Sequence, residues 1–495
     1  MSTEERVLVT GVTGSIGSWV ARTILDGGAN VLALTRANTN EAAWTRTQNA
    51  LRAVGAERYP GHFEVVPGDI CDHDLVKCLA ANHAGLSLII NCAGALEFGS
   101  EYAELNRQVN VQGTENLLRL ATMLRVPFCH FSTAYISGTR QGRVFETEVD
   151  LGQTFNNPYE SSKCQAELRI REWALNTELD AFVFRPSIVV GDSRKGRIVN
   201  FDGVYNFMRL LDNIAGALGK EEFRVAANPQ ATKNFVPADY VAQSAWHIIN
   251  AGTPGTYHLT NPQPMLLSTL RSVSVKLFSI PGARFVDEAE FRMKPASKLE
   301  RIYQKTASVY APYLTAEPVF DRTFTDAALR DLDVAIPAMD LTFFRKLLEF
   351  ARRTEWGKLT PSIPCADRGR EVFVDRYFTL FLREKMHRRL LPNLKNLSAT
   401  CRIIVEDLPT QSWSLGIDRG RLEYISKNGI DCQCTFLLHS DIFSAIVSGR
   451  LKPQRAFFEK KVDIEGDIET GLKLTTVLAA FFQKWPYKVD ACYVG

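Results

Sequence analysis

The sequence predicts a doubly wound α/β domain with a parallel sheet, followed by a smaller α+β domain. In the first half of the chain, short β-branched and apolar runs alternate with helical patterns. This alternation is typical of a parallel sheet that helices cover on both faces. Residues 359–370 carry prolines and a polar cluster, which predicts a linker. Beyond it, four short strands alternate apolar and polar residues, which predicts an antiparallel sheet.

Composition narrows the class of protein. The 495 residues suffice for roughly three domains, and 45% hydrophobic with 23% charged residues is ordinary for a globular chain. A net charge of +3 is too small to argue for nucleic acid as a partner, so none is expected. The ten cysteines lack zinc-site spacing even at Cys432 and Cys434, so we expect no metal and reduced thiols. Because no signal sequence and no apolar run of ~18–20 residues is found, we expect a cytoplasmic protein with at most peripheral membrane contact.

A glycine-rich loop follows the first strand. The apolar residues 7–9 lead into "TGVTGSIG", and an apolar helical pattern through Trp19, Val20, Ile24 and Leu25 comes next. Glycines in this context let the backbone approach a pyrophosphate, which the free N–H groups of the helix N-terminus then face. The sequence therefore predicts a dinucleotide site on a Rossmann sheet. The loop residues expected at the cofactor are Gly11, Thr13, Gly14, Ser15, Ile16 and Gly17.

The end of the second strand predicts which dinucleotide binds. An NAD site usually has an acidic residue there, whereas this chain has Thr35 and Arg36. A guanidinium grips a 2′-phosphate through charge-assisted hydrogen bonds, so NADP(H) is the expected cofactor. Arg46, on the following helix, is a second candidate, or else part of a solvated helix face. Asp69 and Ile70 end the third strand and should flank the adenine, and Ala93 lies in the small-residue turn after the fourth.

The stretch "NPYESSK" puts a phenol and an ammonium one helical turn apart. Tyr159 and Lys163 are i and i+4, so they share a helix face, and a nearby positive charge favours the phenolate. Bringing a phenol from a pKa of ~10 to working pH requires roughly 4 kcal/mol of differential stabilisation. Taken alone, the pattern also fits two ordinary surface residues. Thr133, at the end of the fifth strand, would project at the edge of the sheet where the glycine loop lies.

Together these motifs resemble the extended short-chain dehydrogenase/reductase family. The resemblance implies that Tyr159 protonates or hydrogen-bonds a carbonyl oxygen, and that Thr133 braces the same oxygen. It also implies that Lys163 lowers the pKa of Tyr159 and holds the nicotinamide ribose. Thr133 matches the hydroxyl position better than Ser132. Pro186 and Ile188, in "FRPSIVVGDSRKG", complete the residues expected at the cofactor.

Further sequence motifs indicate one branch of that family. The stretches "STAY", "FRPSIVVGDSRKG" and "NFVPADYVA" resemble fatty acyl-CoA reductases and the thioester reductase domains that release chains from carrier proteins. The resemblance implies NADPH-dependent reduction of a long-chain acyl thioester, on CoA or a carrier protein, to an aldehyde or alcohol. We expect the reductase domain at 1–358, with substrate-binding subdomain elements at about 187–235 and 260–358. Sugar epimerases and hydroxysteroid dehydrogenases share the core.

The region 371–495 resembles the sterol carrier protein-like lipid-binding domain. The matching stretch is "FSAIVSGRLKPQRAFFEKKVDIEGDIETGLKL", together with the order of strands and helices. The resemblance implies a five-stranded sheet and an apolar tunnel for acyl chains or sterols, although the same residues would also fill a small core. The expected lining is Phe436, Leu438, Phe443, Ile446, Val447, Leu478 and Phe481. Asp441 is expected at or near the N-cap of a helix.

Several alternatives stay open at this point. The chain could be a dehydrogenase or isomerase of sterol-type hydroxyl or keto groups, or a non-catalytic lipid carrier that senses NADPH. The sequence also leaves open whether the chain forms a homodimer. A basic run in the C-terminal region would meet a carrier protein, CoA phosphates or an anionic membrane, or form a solvated helix face. This run comprises Arg383, Lys385, Arg388, Arg389 and Lys395.

Overall fold

The computed structural model describes most of the chain as two compact units. The described residues are 5–56, 62–218, 222–357, 373–387, 397–408, 411–427 and 432–487. The units comprise Met1–Pro361 and Ser362–Gly495, and each is described by itself below. The predicted linker at 359–370 lies outside the described residues, as do Arg388, Arg389 and Lys395 of the basic run.

A seven-stranded sheet forms the centre of the first unit. Every neighbouring pair of its strands is parallel. Two halves wind outward from the first strand, so the predicted doubly wound parallel sheet is confirmed. Across the sheet, the strands are Gly255–Tyr257, Ala181–Phe184, Phe128–Phe131, Leu88–Asn91, Arg6–Thr10, Asn30–Thr35 and Phe63–Pro67.

Helices cover both faces of this sheet. Because side chains alternate along a strand, Val7 and Val9 join one buried apolar cluster and Leu8 joins another. The α-helices of the unit are Ser15–Asp26, Asn40–Val54, His73–Asn82, Ala103–Asn106, Gly113–Leu124, Pro158–Thr177, Val204–Leu218, Ala238–Asn250, Leu267–Phe278, Glu288–Met293, Lys298–Ala307, Thr323–Ala328 and Leu341–Arg353. A π-helical turn, Arg107–Gln112, precedes Gly113–Leu124, and 3-10 turns span Ser100–Tyr102, Ala134–Ser137, Ser308–Leu314 and Glu355–Gly357.

A second apolar core is built from residues that follow the sheet strand Ala181–Phe184 in the chain. Buried side chains between Val190 and Ala351 form one cluster separate from those of the main sheet. The helix Leu341–Arg353 contributes an apolar stripe to it that includes Phe344 and Leu347. The residues of this core come from the two regions predicted as the substrate-binding subdomain, about 187–235 and 260–358. Four two-stranded pairs accompany it: Thr232–Lys233 with Met265–Leu266, Phe235–Pro237 with Ile188–Val190, Ala283–Val286 with Phe223–Ala226, and Val319–Phe320 with Arg143–Val144.

A buried ion pair fixes the helix Pro158–Thr177 on the sheet. Glu167 on this helix accepts from the Arg185 guanidinium at 2.6 Å, and neither side chain is exposed. Arg185 directly follows the strand Ala181–Phe184 and also donates to the backbone carbonyl of Glu148 at 2.7 Å. A buried charge is tolerated when it is paired and its remaining donors are bonded. The pair therefore anchors the helix against the carboxyl end of the sheet.

The second unit contains a five-stranded sheet with helices. Its strand order is Arg421–Lys427, Ser412–Asp418, Ala399–Val405, Cys434–Leu438 and Val462–Gly466. The predicted purely antiparallel arrangement is wrong, because the fourth strand in the chain lies beside the first and runs parallel to it. Alternation of apolar residues reports which face is buried, but not the direction of the neighbouring strand. The helices are Ser440–Val447, Pro453–Phe458 and Ile468–Lys484, after a π-helical turn Tyr377–Leu382 and a 3-10 turn Arg383–Lys385.

Two further features of the described chain bear on the sequence predictions. Asp441 lies in the first turn of Ser440–Val447, whereas His439 occupies the N-cap position. None of the helices in the described part of the chain is both long enough and apolar enough to cross a bilayer.

Candidate active site

The glycine loop leaves a helix N-terminus open to an anion. Gly11 has a φ of +68°, and a Cβ there would lie 2.6 Å from the backbone nitrogen of Ala93. A Cβ on Gly17 would lie 2.2 Å from the Gly11 carbonyl oxygen. The helix Ser15–Asp26 begins after Gly14 with no side-chain cap and no acidic residue in its first turn. Its N–H groups and dipole therefore favour a phosphate group.

Arg36 is the exposed cation at the end of the second strand. Thr35, which precedes it, is buried with its hydroxyl 2.8 Å from that of Thr47. Arg36 therefore presents the polar side chain at this point. Arg46 is also exposed, and its guanidinium donates to the backbone carbonyl of Arg36.

One large cavity brings most of the predicted site residues together. Its volume is about 910 Å³, in the range of small-molecule and cofactor sites. The predicted residues that line it are Gly14, Ser15, Ile16, Arg36, Thr133, Tyr159, Lys163, Pro186 and Ile188. Those outside its lining are Gly11, Thr13, Gly17, Arg46, Asp69, Ile70 and Ala93.

Some residues outside the lining have other contacts. Ile70 is buried, and a Cβ on Gly113 would come within 2.6 Å of its side chain. Asp69 accepts from the backbone N–H of Cys71 at 2.9 Å. Ala93 donates its N–H to the Thr10 hydroxyl at 3.2 Å, while its neighbours Cys92 and Gly94 reach the cavity instead. Asp69, Ile70 and Ala93 therefore contact neighbouring segments of the chain and do not line the cavity.

Tyr159 enters the cavity from the first turn of a capped helix. The Asn157 side chain accepts from the N–H of Glu160 at 3.0 Å, and Pro158 occupies the first helical position. Burial raises the pKa of Tyr159 to about 12, and a hydrogen bond with Thr133 opposes this rise. The direction is opposite to the one expected from sequence, because burial penalises the phenolate more than the neighbouring groups stabilise it. At neutral pH the phenol is protonated and able to donate.

Lys163 is held by the end of the fifth strand. Its Nζ donates to the backbone carbonyl of Phe131 at 2.6 Å and lies 3.1 Å from Nε2 of His130. Burial lowers the pKa of Lys163 from 10.5 to about 8, against a rise from Glu167 one turn along the helix. Burial and the Lys163 charge likewise hold the pKa of His130 well below its ordinary value, so that the imidazole is neutral. The amine is therefore poised near working pH.

Asn110 is a further residue of the site, and no motif in the sequence marks it. Its Oδ1 accepts from the N–H of Ala95 at 2.9 Å, and its Nδ2 donates to the Ser162 hydroxyl at 2.9 Å. It thereby joins the turn after the fourth strand to the helix that carries Lys163. Asn110 lies in the π-helical turn Arg107–Gln112. A search for a helical period of 3.6 residues cannot detect such a turn.

An aromatic wall stands beside Tyr159. The ring centroid of Phe98 lies 5.9 Å from the ring centroid of Tyr159 and 5.3 Å from that of Tyr310. Tyr313, 6.1 Å from Phe98, donates its hydroxyl to Glu160 and accepts from Asn157 at 2.7 Å. Because these tyrosines are about 150 residues beyond Tyr159 in the chain, no local pattern could predict the contact.

The cavity continues into the second apolar core. The helix Leu267–Phe278 and the strand Ala283–Val286 both contribute to this part of its lining. The apolar side chains here include Phe207, Met208, Leu211, Phe223, Leu270, Val273, Leu277, Phe278, Ile280 and Phe344. A site that combines the Tyr159 end with this apolar region can hold a carbonyl compound that carries a long apolar group.

The second unit has its own, much smaller cavity. All seven residues predicted to line a tunnel do line it, together with Tyr377 and Phe482 among others. Its volume is about 60 Å³, which is room for a few waters rather than for a lipid. It would have to widen before a lipid could enter.

The described residues show no cluster that could hold a metal ion. Cys164, beside Lys163, is buried, and burial raises the pKa of its thiol to about 12. The thiol is therefore a packing group and not a nucleophile.

Family matches agree with this geometry. Residues 9–245 match an NAD-binding family described as "Male sterility protein", and residues 379–479 match the "SCP-2 sterol transfer family". The predicted resemblance to the fatty acyl-CoA reductase and thioester reductase branch, with a sterol carrier protein-like domain behind it, is confirmed. A nicotinamide dinucleotide is the class of cofactor that this domain takes.

Several proteins that resemble this chain in sequence are named as reductases. The chain is 23% identical over 354 residues to an "Alcohol-forming fatty acyl-CoA reductase" of Simmondsia chinensis, covering 55% of this chain and 70% of that protein. It is 27% identical over 396 residues to "Aldehyde reductase lnaA" of Aspergillus flavus, covering 70% of this chain and only 36% of that protein. The predicted assignment to the oxidoreductases of the extended short-chain family is confirmed.

A solved structure shares the fold. The terminal R domain from the myxalamid PKS-NRPS biosynthetic pathway has a TM-score of 0.61 and 21% identity, over 71% of this chain and 91% of that one.

The buried amine of Lys163 should make stability depend on pH. With a folded pKa of about 8 and an ordinary value of 10.5, the unfolded chain binds more protons between these pH values. Stability therefore rises with pH in this window by about 3 kcal/mol relative to a Lys163→Met variant, which cannot titrate. Urea unfolding of both proteins at pH 7 and pH 10 measures the difference. If the difference in unfolding free energy between the two proteins is the same at both pH values, the lowered pKa of the buried amine is contradicted.

Proposed function

We propose that this protein is an NADPH-dependent reductase of long-chain acyl thioesters, giving an aldehyde or alcohol. The observation that carries the proposal is that Thr133, Tyr159 and Lys163 line the same cavity as a long apolar region. A thioester carbonyl fits the first set of groups, and an acyl chain fits the second. The fatty acyl-CoA reductase relative supports this substrate class.

Different residues of the chain would bind different parts of NADPH. The N–H groups after Gly14 would hold the pyrophosphate, and Arg36 would hold the 2′-phosphate. Lys163 would hold the nicotinamide ribose. When bound, NADPH supplies a hydride to the carbonyl carbon.

Tyr159 and Thr133 would act on the carbonyl oxygen. Because the pKa of Tyr159 lies near 12, its phenol is protonated and donates to the oxygen as negative charge develops there. Thr133 orients that phenol through their hydrogen bond. Tyr159 gives up its proton to the oxygen, and the resulting hemithioacetal breaks its C–S bond to release a thiol and an aldehyde. A second reduction would give the alcohol.

The acyl chain would lie within the first unit. The C-terminal domain is the alternative site for the far end of the chain. The apolar region of the 910 Å³ cavity makes it the better site for the whole chain, compared with about 60 Å³ in the second unit. Each methylene buried there contributes about 0.8 kcal/mol. The C-terminal domain would then hold or deliver lipid in a separate step, and CoA or a carrier protein would bring the acyl group.

A substrate panel tests this function. The full chain is incubated with NADPH and octanoyl-CoA, palmitoyl-CoA or a hydroxysteroid, and product and free thiol are measured by mass spectrometry and thiol titration. We expect aldehyde or alcohol and one thiol per acyl group reduced. Turnover of the steroid alone would instead favour a sterol-type dehydrogenase. NADPH binding with no turnover at all would favour a lipid carrier that senses the cofactor.

Tyr159→Phe should remove the proton donor and keep the ring. We expect the turnover number for acyl-CoA to fall by about 10²–10⁴-fold, whereas NADPH affinity is preserved. Steady-state kinetics and a fluorescence titration with NADPH measure the two effects. Tyr424→Phe, which removes a hydroxyl from a residue outside the lining of this cavity, is the control. Near-full activity in Tyr159→Phe would show that another group protonates the oxygen.

Arg36→Ala should narrow the preference for NADPH over NADH. Loss of one charge-assisted contact to the 2′-phosphate should cost about 1.5–3 kcal/mol for NADPH and little for NADH. Dissociation constants of both cofactors are measured for the unmutated protein, Arg36→Ala and Arg52→Ala. Arg52 is an exposed arginine in the last turn of Asn40–Val54 and serves as the control. Equal affinity of the unmutated protein for both cofactors would exclude NADP specificity.

Ser274→Trp should shorten the acyl chain that the enzyme accepts. Ser274 is half-buried, lines the cavity and lies on the helix Leu267–Phe278. A bulky ring there should lower kcat/KM for palmitoyl-CoA about tenfold or more and leave octanoyl-CoA little changed, since about eight methylenes would lose their site. The control is Ser272→Trp, an exposed position on the same helix outside the lining. An unchanged chain-length profile in Ser274→Trp would place the chain elsewhere.

A further inference from the structure

A buried polar cluster on the wall of the cavity has no role in the function proposed above. The Lys233 cluster consists of Lys233, Glu317 and Tyr135. Nζ of Lys233 lies 3.2 Å from Oε1 of Glu317, and the Tyr135 hydroxyl donates to the same oxygen at 2.7 Å. The side chains of Lys233 and Glu317 are only 5% and 1% exposed. Lys233 and Tyr135 both line the cavity that contains Thr133 and Tyr159.

The cluster has unused hydrogen-bonding capacity. An ammonium has three N–H donors, and Lys233 uses one of them, on Glu317, within the described chain. The Tyr135 oxygen, which donates to Glu317, can still accept. Oε2 of Glu317 is buried without a partner among the described residues. Because buried polar groups are normally bonded, such a cluster on the wall of a cavity requires an explanation.

Charge and position limit the kind of ligand that fits. The Glu317 carboxylate balances the Lys233 ammonium, so the cluster is neutral overall and does not favour a phosphate or carboxylate. Its free ammonium donors suit an oxygen acceptor, and the Tyr135 oxygen suits an N–H or O–H donor. An amide offers both, and so does a hydroxyl group. Tyr135 follows Thr133 by two residues, so a substrate whose carbonyl lies at Thr133 has neighbouring atoms within this region of the cavity.

We propose that the Lys233 cluster is a subsite for a neutral amide or hydroxyl group of the substrate. This inference rests on the proposed function, because it concerns the atoms next to the thioester. Two sources carry this chemistry. One is the amide of the pantetheine arm, which CoA and carrier proteins share, and the other is an oxygen substituent on the acyl chain. Hydrogen bonds to a charged group in a buried site are strong enough to select between substrates with and without such a group.

Binding measurements on the full chain without NADPH test the subsite. The ligands are octanoyl-CoA, S-ethyl thiooctanoate, which lacks any amide, and S-ethyl 3-hydroxythiooctanoate, which carries an acyl hydroxyl. The variants are Lys233→Met and the double variant Lys233→Met with Glu317→Gln, which leaves no charge unpaired. The control is Lys276→Met, an exposed lysine on Leu267–Phe278.

We expect the double variant to weaken selectively the ligands that carry the polar group. If the pantetheine amide is the source, the dissociation constant for octanoyl-CoA rises about tenfold or more and that for S-ethyl thiooctanoate is unchanged. If the acyl oxygen is the source, only the hydroxy thioester weakens. Lys276→Met should change none of the three.

An equal effect on all three ligands, or no effect, would overturn the proposal and leave the cluster a purely structural ion pair. Loss of folding in Lys233→Met alone does not decide the matter, since the double variant removes both charges. Turnover with NADPH is measured separately. Absence of turnover in the unmutated protein would contradict the proposed function, whereas the ratios of dissociation constants would still decide the subsite.

Discussion

The hydrogen bond from Lys163 to the Phe131 carbonyl is the contact on which the site depends. At 2.6 Å, it joins the helix Pro158–Thr177 to the end of a sheet strand, two residues before Thr133. Because Tyr159 is one turn before Lys163 on the same helix, this contact sets the position of the phenol relative to the Thr133 hydroxyl. Burial at this contact lowers the pKa of the amine and raises that of the phenol.

A buried ammonium in this place needs support from the surrounding sheet. Glu167 supplies a negative charge one turn away, and Arg185 in turn holds Glu167 through a fully buried pair. His130, neutral and fully buried, contacts the amine from the strand side. The parallel sheet makes this possible, since it gathers the ends of several strands and the glycine loop at one edge. The Lys163 amine, the Tyr159 phenol and the glycine loop therefore lie at the same edge of one sheet.

Local patterns in the sequence predicted the parts of the site that are local in the chain. The glycine loop, the capped helix with Tyr159 and Lys163, and the strand end at Thr133 each occupy a few consecutive residues. The aromatic wall and the pair of Lys233 with Glu317 join segments far apart in the chain, so no spacing rule could identify them. The π-helical turn at Asn110 and the parallel strand pair in the second sheet were not predicted for a different reason. Periodicity reports which residues are buried, and not the backbone geometry or the strand direction.

Transfer of hydrogen from cofactor to substrate tests the central claim most directly. NADPH labelled with deuterium at C4 of the nicotinamide is mixed with octanoyl-CoA and excess protein, and the products are analysed by mass spectrometry. The account predicts one deuterium on C1 of octanal, or two in octanol, with one CoA thiol released. Octanoic acid without deuterium would indicate hydrolysis, and unchanged octanoyl-CoA beside unconsumed NADPH would show that the site does not reduce thioesters. Either result would contradict the account.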